Sequence, residues 1–406
     1  MRSQGTDRYF CAAHSLINGV KQNLRELFLP VGYPEGLHTC YQKFHLWLGV
    51  ETFLGSMISV LCSQAMLGSL GLGAAEAAGG AVAIQWVLKD GIGEVGKLFF
   101  IKRYASSFDS HPKTWKIVGE GMSSVGSFLQ LCTCVVSVNL FLPLAAVGNM
   151  LESIHRSVWF ASHMTFTKHF SPHGNIGDIV AKDDAQTSTA QLLGMLSGVS
   201  LLTLSHSQLF LFGCFSVLAP IHLWSTTSML KAAKFENLNQ ANLILLGQSF
   251  VDNGKVMDYE QLHQSESLGY GGEWIQQNHK HVNIKMGLSA DKAYQSANEI
   301  RSAIGIFKNE TYLLNYRENT VNILFHNDAQ VNDVIKAVLH AIKFYDALIT
   351  SKQDTWKTLD QTLHWTTSNC QPFLESLKAH QWQCDNVYWN DGGIRLTWDR
   401  QITCSS

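Results

Sequence analysis

The sequence predicts a mainly α protein in two parts, a helical, multi-pass membrane domain followed by a small α+β domain. Three observations carry this prediction: an uneven spread of charge, long uncharged runs, and a change of periodicity after about residue 231. Charged residues make up 15% of the 406-residue chain, against roughly 25% in an ordinary soluble domain. Residues 1–230 hold 27 Asp, Glu, Lys or Arg, and residues 231–406 hold 35. The first half is therefore charge-poor, the second has an ordinary soluble balance, and a boundary falls near 231–255. The net charge of −2 gives no whole-chain attraction to nucleic acid.

Each uncharged run is long enough to cross a bilayer, which takes about 20 apolar residues as helix. Thr52–Ala75 carries no charge, nor does Gly121–Leu151, nor Ala185–Leu230. The last has room for two helices with a turn at Ser205–Gln208. Spans are expected near 52–73, 80–101, 124–150, 188–205 and 208–228. A large soluble core is the competing explanation, since the runs are rich in Ser, Thr, Gln and Gly and the mean hydropathy is only +0.01. Burying two adjacent uncharged helices on every side is the harder requirement. Gly194-xxx-Gly198 also suits close helix contact in lipid. Lys102, Arg103, Lys113 and Lys116 form a basic loop, but Lys231 and Lys234 fall on the opposite side, so orientation stays open.

The second half alternates in type. Lys231–Leu246 reads as a helix, His281–Gly287 as a strand, and Ser289–Ile304 as a helix with Ser289 at its N-cap. Thr311–His326 reads as two strands around Glu318-Asn319. Asp328–Thr350 is helical, with Val331, Val334, Ile335, Val338, Leu339, Ile342 and Tyr345 on one face. Helix continues to Leu377, and two short strands flank Asp391-Gly392-Gly393. The domains are 27–250 (helical, membrane) and 251–406 (α+β), with 1–26 as an extension lacking a secretory signal. The nine cysteines are scattered, without C-x-x-C or zinc spacing, and read as free thiols. His279-Lys280-His281 reads as a solvated loop or strand end.

Gly91, Gly93 and Gly96 in "QWVLKDGIGEVGKLFF" (Gln85–Phe100) spell G-x-G-x-x-G after an apolar run. A dinucleotide turn needs repeating βαβ units, and uncharged runs follow instead. One helix explains more. Leu88, Ile92, Val95 and Phe99 make an apolar stripe, Glu94 and Lys97 can pair, and the glycines let a neighbouring helix approach. "HGNIGDIVAKDDAQTS" (His173–Ser188) echoes the segment, with Lys182-Asp183 beside Lys89-Asp90. Ionisable groups next to membrane helices are costly and point to function. The candidate polar site is Lys89, Asp90, Glu94, Asn175, Asp178, Lys182 and Asp183. Chance plus helix capping is the bland alternative, and the carboxylates Asp178, Asp183 and Asp184 alone do not make a metal site.

"LFLPVGYPEG" (Leu27–Gly36), "QWVLKDGIGEVGKLFF" and "GNIGDIVAKDDAQT" (Gly174–Thr187) together resemble the signature segments of the root UVB sensitive (RUS) family, over residues 25–250. The positions that carry the resemblance are Pro30, Gly32, Tyr33 and Pro34; Gln85, Trp86, Lys89, Asp90 and Gly91; and Gly174, Asn175, Lys182 and Asp183. After His222 this chain departs from the pattern with "LWSTTSML". The resemblance implies an integral membrane protein, with plastid, UV-B response, auxin distribution and vitamin B6 homeostasis as associations. It brings no established catalytic residues, cofactor or metal.

A membrane adaptor or scaffold is the leading functional expectation, its α+β domain docking another protein, such as a paralogue of the same family. The alternative is a small-molecule carrier with a polar site between membrane helices. An enzyme acting on a B6 vitamer through a Schiff base at Lys89 is the least favoured, and no catalytic activity is expected.

Overall fold

A computed structural model describes residues 18–70, 80–171, 174–265, 282–351 and 354–399; the predicted His279–His281 loop and the N-terminal 17 residues lie outside these. The chain divides into two units. The first takes the described residues of Met1–Lys102 and Trp115–Ala233, the second those of Arg103–Thr114 and Lys234–Ser406.

The first unit is helical. Helix α1 covers residues 18–28. It is followed by α2 (Tyr41–Ser69), α3 (Gly80–Tyr104), α4 (Pro112–Cys132), α5 (Phe141–Phe170), α6 (Ile176–Leu204) and α7 (Gln208–Ala232). Helix α2 is central and packs along both α6 and α7. Small residues allow the approach: a β-carbon on Gly194 would lie 2.3 Å from the Phe53 carbonyl oxygen, and one on Gly198 would lie 2.9 Å from Val60 Cβ. The predicted turn at Ser205–Gln208 is present, with the Ser207 hydroxyl capping α7. The Gly121–Leu151 run is not one span. It breaks over residues 133–140 and feeds the end of α4 and the start of α5.

Among the described residues, α2, α6 and α7 are long and apolar enough to cross a membrane. Helix α6 buries only 11% of its apolar window; Leu192, Leu193, Leu196 and Val199 are all exposed. An apolar face left uncovered over that length suits lipid better than water. The expected basic loop needs correction: Lys113 and Lys116 lie in α4 and are buried, so they do not act as loop charges.

The second unit is α+β. Strands β2 (Asn283–Met286), β3 (Tyr312–Arg317), β4 (Thr320–His326) and β6 (Arg395–Leu396) form one sheet with β4 central, and β4 is buried along its whole length. The β3–β4 hairpin turns on Glu318 and Asn319, both at positive φ, as a two-residue hairpin favours. Helices α12 (Val331–Ser351) and α13 (Thr355–Ala379) pack together, and α12 lies on β3 and β4. Its Val/Ile/Leu stripe enters the core as the spacing predicts.

Two expectations change here. Lys231–Leu246 is interrupted: α7 ends at Ala232, β1 runs Asn237–Asn239, and α8 covers Gln240–Asn253, capped by the Asn239 side chain. After the short α9 (Tyr259–Ser265), Ser289 does begin a helix, α10, but it covers only Ala290–Ala293, and α11 (Ala297–Ile306) starts anew under a Ser296 cap. The last two strands do not pair with each other. β5 (Gln383–Tyr388) joins β1, and β6 joins β4.

Candidate functional site

Within the helical unit, α2, α4, α5 and α7 line an open-sided cavity of about 470 Å³, reached also by Trp86 and Lys89 of α3. Helical periodicity builds it. On α4 the residues Lys116, Glu120, Ser123, Ser127 and Gln130 line the cavity in steps of four and three, so a polar seam runs down one face. On α5 the matching seam is Asn149, Glu152, Arg156 and Trp159, and on α2 it is Glu51, Gly55, Ser59 and Ser63.

At one end the charges meet. The Lys116 ammonium lies 2.8 Å from Glu51, bonds Glu120 as well, and sits 3.9 Å over the Trp159 ring. Thr226 of α7 donates to Glu51 at 2.8 Å. His155 and His222 approach Glu120 at 3.4 and 3.7 Å. Glu51, Lys116 and Glu120 are 4, 3 and 2% exposed. Charges so far removed from water persist only when paired. Two carboxylates against one ammonium leave a net negative charge until a proton or a cationic group joins them. Glu152, farther along, accepts from Ser127 at 2.8 Å and from Ser123 at 3.1 Å. Glu51, Glu120 and His222 lie close enough to share a metal ion, but the Lys116 ammonium already supplies the cation there.

The predicted polar residues fall into two places. Lys89 is buried, donates to Asp90 at 2.6 Å, lies 4.9 Å from the Trp86 ring and lines the cavity. Glu94 pairs with Lys97 and accepts from Ser153 of α5. The other group, at the start of α6, holds the end of α1 and the segment after it: Val31 N donates to Asp178 at 2.7 Å and Lys182 donates to the Glu26 carbonyl at 2.5 Å. Asn175 precedes α6 and accepts from Ser171. Asp183 is buried between His45 and His163, at 3.1 and 2.7 Å. No hydrogen bond or ion pair joins the two groups among the described residues. The Lys-Asp echo therefore marks two structural stations, of which only the first reaches the cavity.

The glycine motif is helical, as predicted, within α3. A β-carbon on Gly93 would lie 2.5 Å from Asn149 Nδ2 and one on Gly96 would lie 2.2 Å from Met150 Sδ, so both face α5; Gly91 meets nothing within 4 Å. Around the first motif, Gly32 is at positive φ and accepts from the Gly36 N–H, Pro30 is buried, Tyr33 packs edge-on to Tyr41, and Pro34 is exposed. Gly174 is also at positive φ, and Gln85 lies beside Trp86 on α3. Sequence reasoning missed Lys116, Glu120, Glu152, His155 and His222. The seam spacing from Lys116 to Gln130 was the available signal, hidden because that stretch straddles a basic patch and an uncharged run.

The motif segments thus assemble into one helical unit, and all three fall within a single family match. Residues 14–254 match the vitamin B6 photo-protection and homoeostasis domain, and residues 273–398 match the root UVB sensitive protein C-terminal family. The chain belongs to the root UVB sensitive family. Its RUS relatives include root UVB sensitive 5 of Arabidopsis thaliana, 26% identical over 90% of this chain and 74% of that protein. Root UVB sensitive 2, chloroplastic, of the same plant is 26% identical over 91% of this chain and 84% of its own length. RUS family member 1 of Dictyostelium discoideum is 25% identical over 68% of this chain and 52% of its length. No solved structure matches the chain.

Proposed function

We propose that this RUS-family chain is a membrane-embedded carrier for a small polar ring compound, a B6 vitamer, bound in the α2–α4–α5–α7 cavity. One observation carries the reading: charged and hydroxyl seams face inward around about 470 Å³, while α6 turns Leu192, Leu196 and Val199 outward. That volume is ordinary for a small-molecule site. Three carboxylates (Glu51, Glu120, Glu152) and three cations (Lys89, Lys116, Arg156) line it, with Trp86 and Trp159. Such a lining suits a solute that carries both signs on an aromatic ring. The domain description supplies the vitamer class, and one relative's chloroplastic name favours an organelle membrane.

Binding without transformation fits the amines present: Lys116 is held by two carboxylates, and Lys89, the Schiff-base candidate, is engaged by Asp90. The adaptor reading, with a protein partner on the α+β unit, has less behind it. Exposed large hydrophobics of that unit come down to Tyr104, Ile349 and Ile394 among the described residues. The test is uptake of labelled pyridoxine, pyridoxal and pyridoxal phosphate into liposomes carrying the purified protein, with Glu51→Gln and Glu120→Gln as variants. Uptake by the parent and its loss in both variants supports the reading. Folded protein that neither binds nor moves any vitamer overturns it.

A further inference from the structure

We propose that His38, Cys40 and His169 form a binding site for one zinc-type divalent ion, separate from the cavity. One nitrogen of each imidazole and the Cys40 sulfur lie within 4.8 Å of one another. His38 Nδ1 is 2.9 Å from Cys40 Sγ, and the His38 and His169 ring centroids are 4.3 Å apart. Ligand atoms about 2.0–2.3 Å from a common zinc ion need only small side-chain rotations from these positions.

The donor set selects the metal class. One thiol and two imidazoles suit zinc or copper and give magnesium or calcium nothing to hold. The three come from two places in the chain: Cys40 is the N-cap residue of α2 with His38 in the turn just before it, and His169 is in the last turn of α5. A capping turn accounts for His38 and Cys40, whose backbone N–H points to His38 Nδ1 at 3.4 Å. It gives no reason for a second imidazole to close over them. Cys40 and His169 are buried and His38 is half-buried, so the set is largely shielded from bulk water. Phe170 lies beside His169, with Phe44 and Phe166 behind it, and an apolar wall of this kind limits solvent access and lowers the dielectric around a bound ion. On binding, the Cys40 S–H proton leaves to solvent as the metal–sulfur bond forms. Both imidazoles bind as neutral bases, and the metal's charge state does not change. The spacing His38-x-Cys40 is not a zinc motif, and His169 is remote in sequence, so only the fold brings the set together.

The test is titration of the full chain, reduced and purified in detergent, with Co²⁺ as the optical probe and Zn²⁺ as competitor. We expect one equivalent of Co²⁺, a thiolate-to-cobalt charge-transfer band, and displacement by Zn²⁺. Cys40→Ser removes the band, His38→Gln and His169→Gln weaken binding at least about tenfold, and Cys62→Ser, a buried thiol elsewhere, leaves it unchanged. Absence of the band from folded parent protein, or its survival in Cys40→Ser, overturns the site. Should the Cys40 variant not fold, alkylation of the parent decides. Zn²⁺ slows labelling of Cys40, read by mass spectrometry, and equal labelling with and without Zn²⁺ overturns the proposal.

Discussion

Lys116 holds two buried carboxylates at once, and its removal leaves them facing each other without a counter-charge. Lys116→Met is expected to destabilise the helical unit by about 3–5 kcal/mol, read as a lowered melting temperature in detergent. Adding Glu120→Gln recovers part of the loss, because only one carboxylate then lacks its partner. A second buried group sets a pH limit on the α+β unit. His340 lies between Tyr312 at 3.1 Å and Thr362 at 3.0 Å, and burial pulls its imidazole down from 6.5 to about 3. Between those values the unfolded chain holds a proton that the folded unit refuses. Stability therefore falls on acidification through that window, by about 1.4 kcal/mol per pH unit, and is level above it. Hydrogen exchange in β3 and β4 measures the slope, and His340→Gln flattens it. Lys89, Asp90 and Asp183 were visible in the sequence because they interrupt apolar context. Lys116 and Glu120 were not, because a charge in a basic patch looks the same whether the helix turns it to water or inward.

The helices were legible wherever one face alone faces apolar surroundings, as in α12 with its Val331–Tyr345 stripe. They were misread where a break depends on capping, as between Ala293 and Ala297, where Ser296 starts a second helix. Strand partners were illegible for β5 and β6, since register with β1 and β4 is set by contacts distant in sequence. The glycines of α3 permit a test at this level. Gly91→Ala is expected to be neutral or to stabilise by about 0.5–1 kcal/mol, because Gly91 meets nothing and alanine favours helix. Gly93→Ala drives a methyl into Asn149 and costs about 1–3 kcal/mol. A phosphate-binding turn would show the reverse sensitivity at Gly91, so thermal unfolding of the two variants separates the readings. Gly194→Ala, against the Phe53 carbonyl, is expected to loosen α6 from α2 at similar cost.

At the scale of the molecule, the split between charge-poor and charge-ordinary halves anticipated the helical and α+β units. The cavity was beyond reach, since it needs seams from four helices to converge. If α6 faces lipid, the chain stays in the membrane pellet after a carbonate wash. A charge on its outer face, Leu196→Asp, costs about 3 kcal/mol at mid-bilayer and shifts protein to the aggregated fraction. Full release of the parent into the carbonate supernatant would count against the membrane reading.

The Glu51 cluster also bears on how the protein is made. Glu51 emerges from the ribosome before Lys116, and its hydroxyl partner Thr226 follows 175 residues later. Until residue 116 is made α2 carries a carboxylate without either mate, and until residue 226 it lacks the hydroxyl. An unpaired carboxylate is costly to bury, so its first resting place is wet, and its final seat exists only once α4 and α7 have arrived. Assembly of this unit is thus gated by the last helix translated, and truncations that stop short of α7 should be cleared by quality control even when every earlier helix is intact.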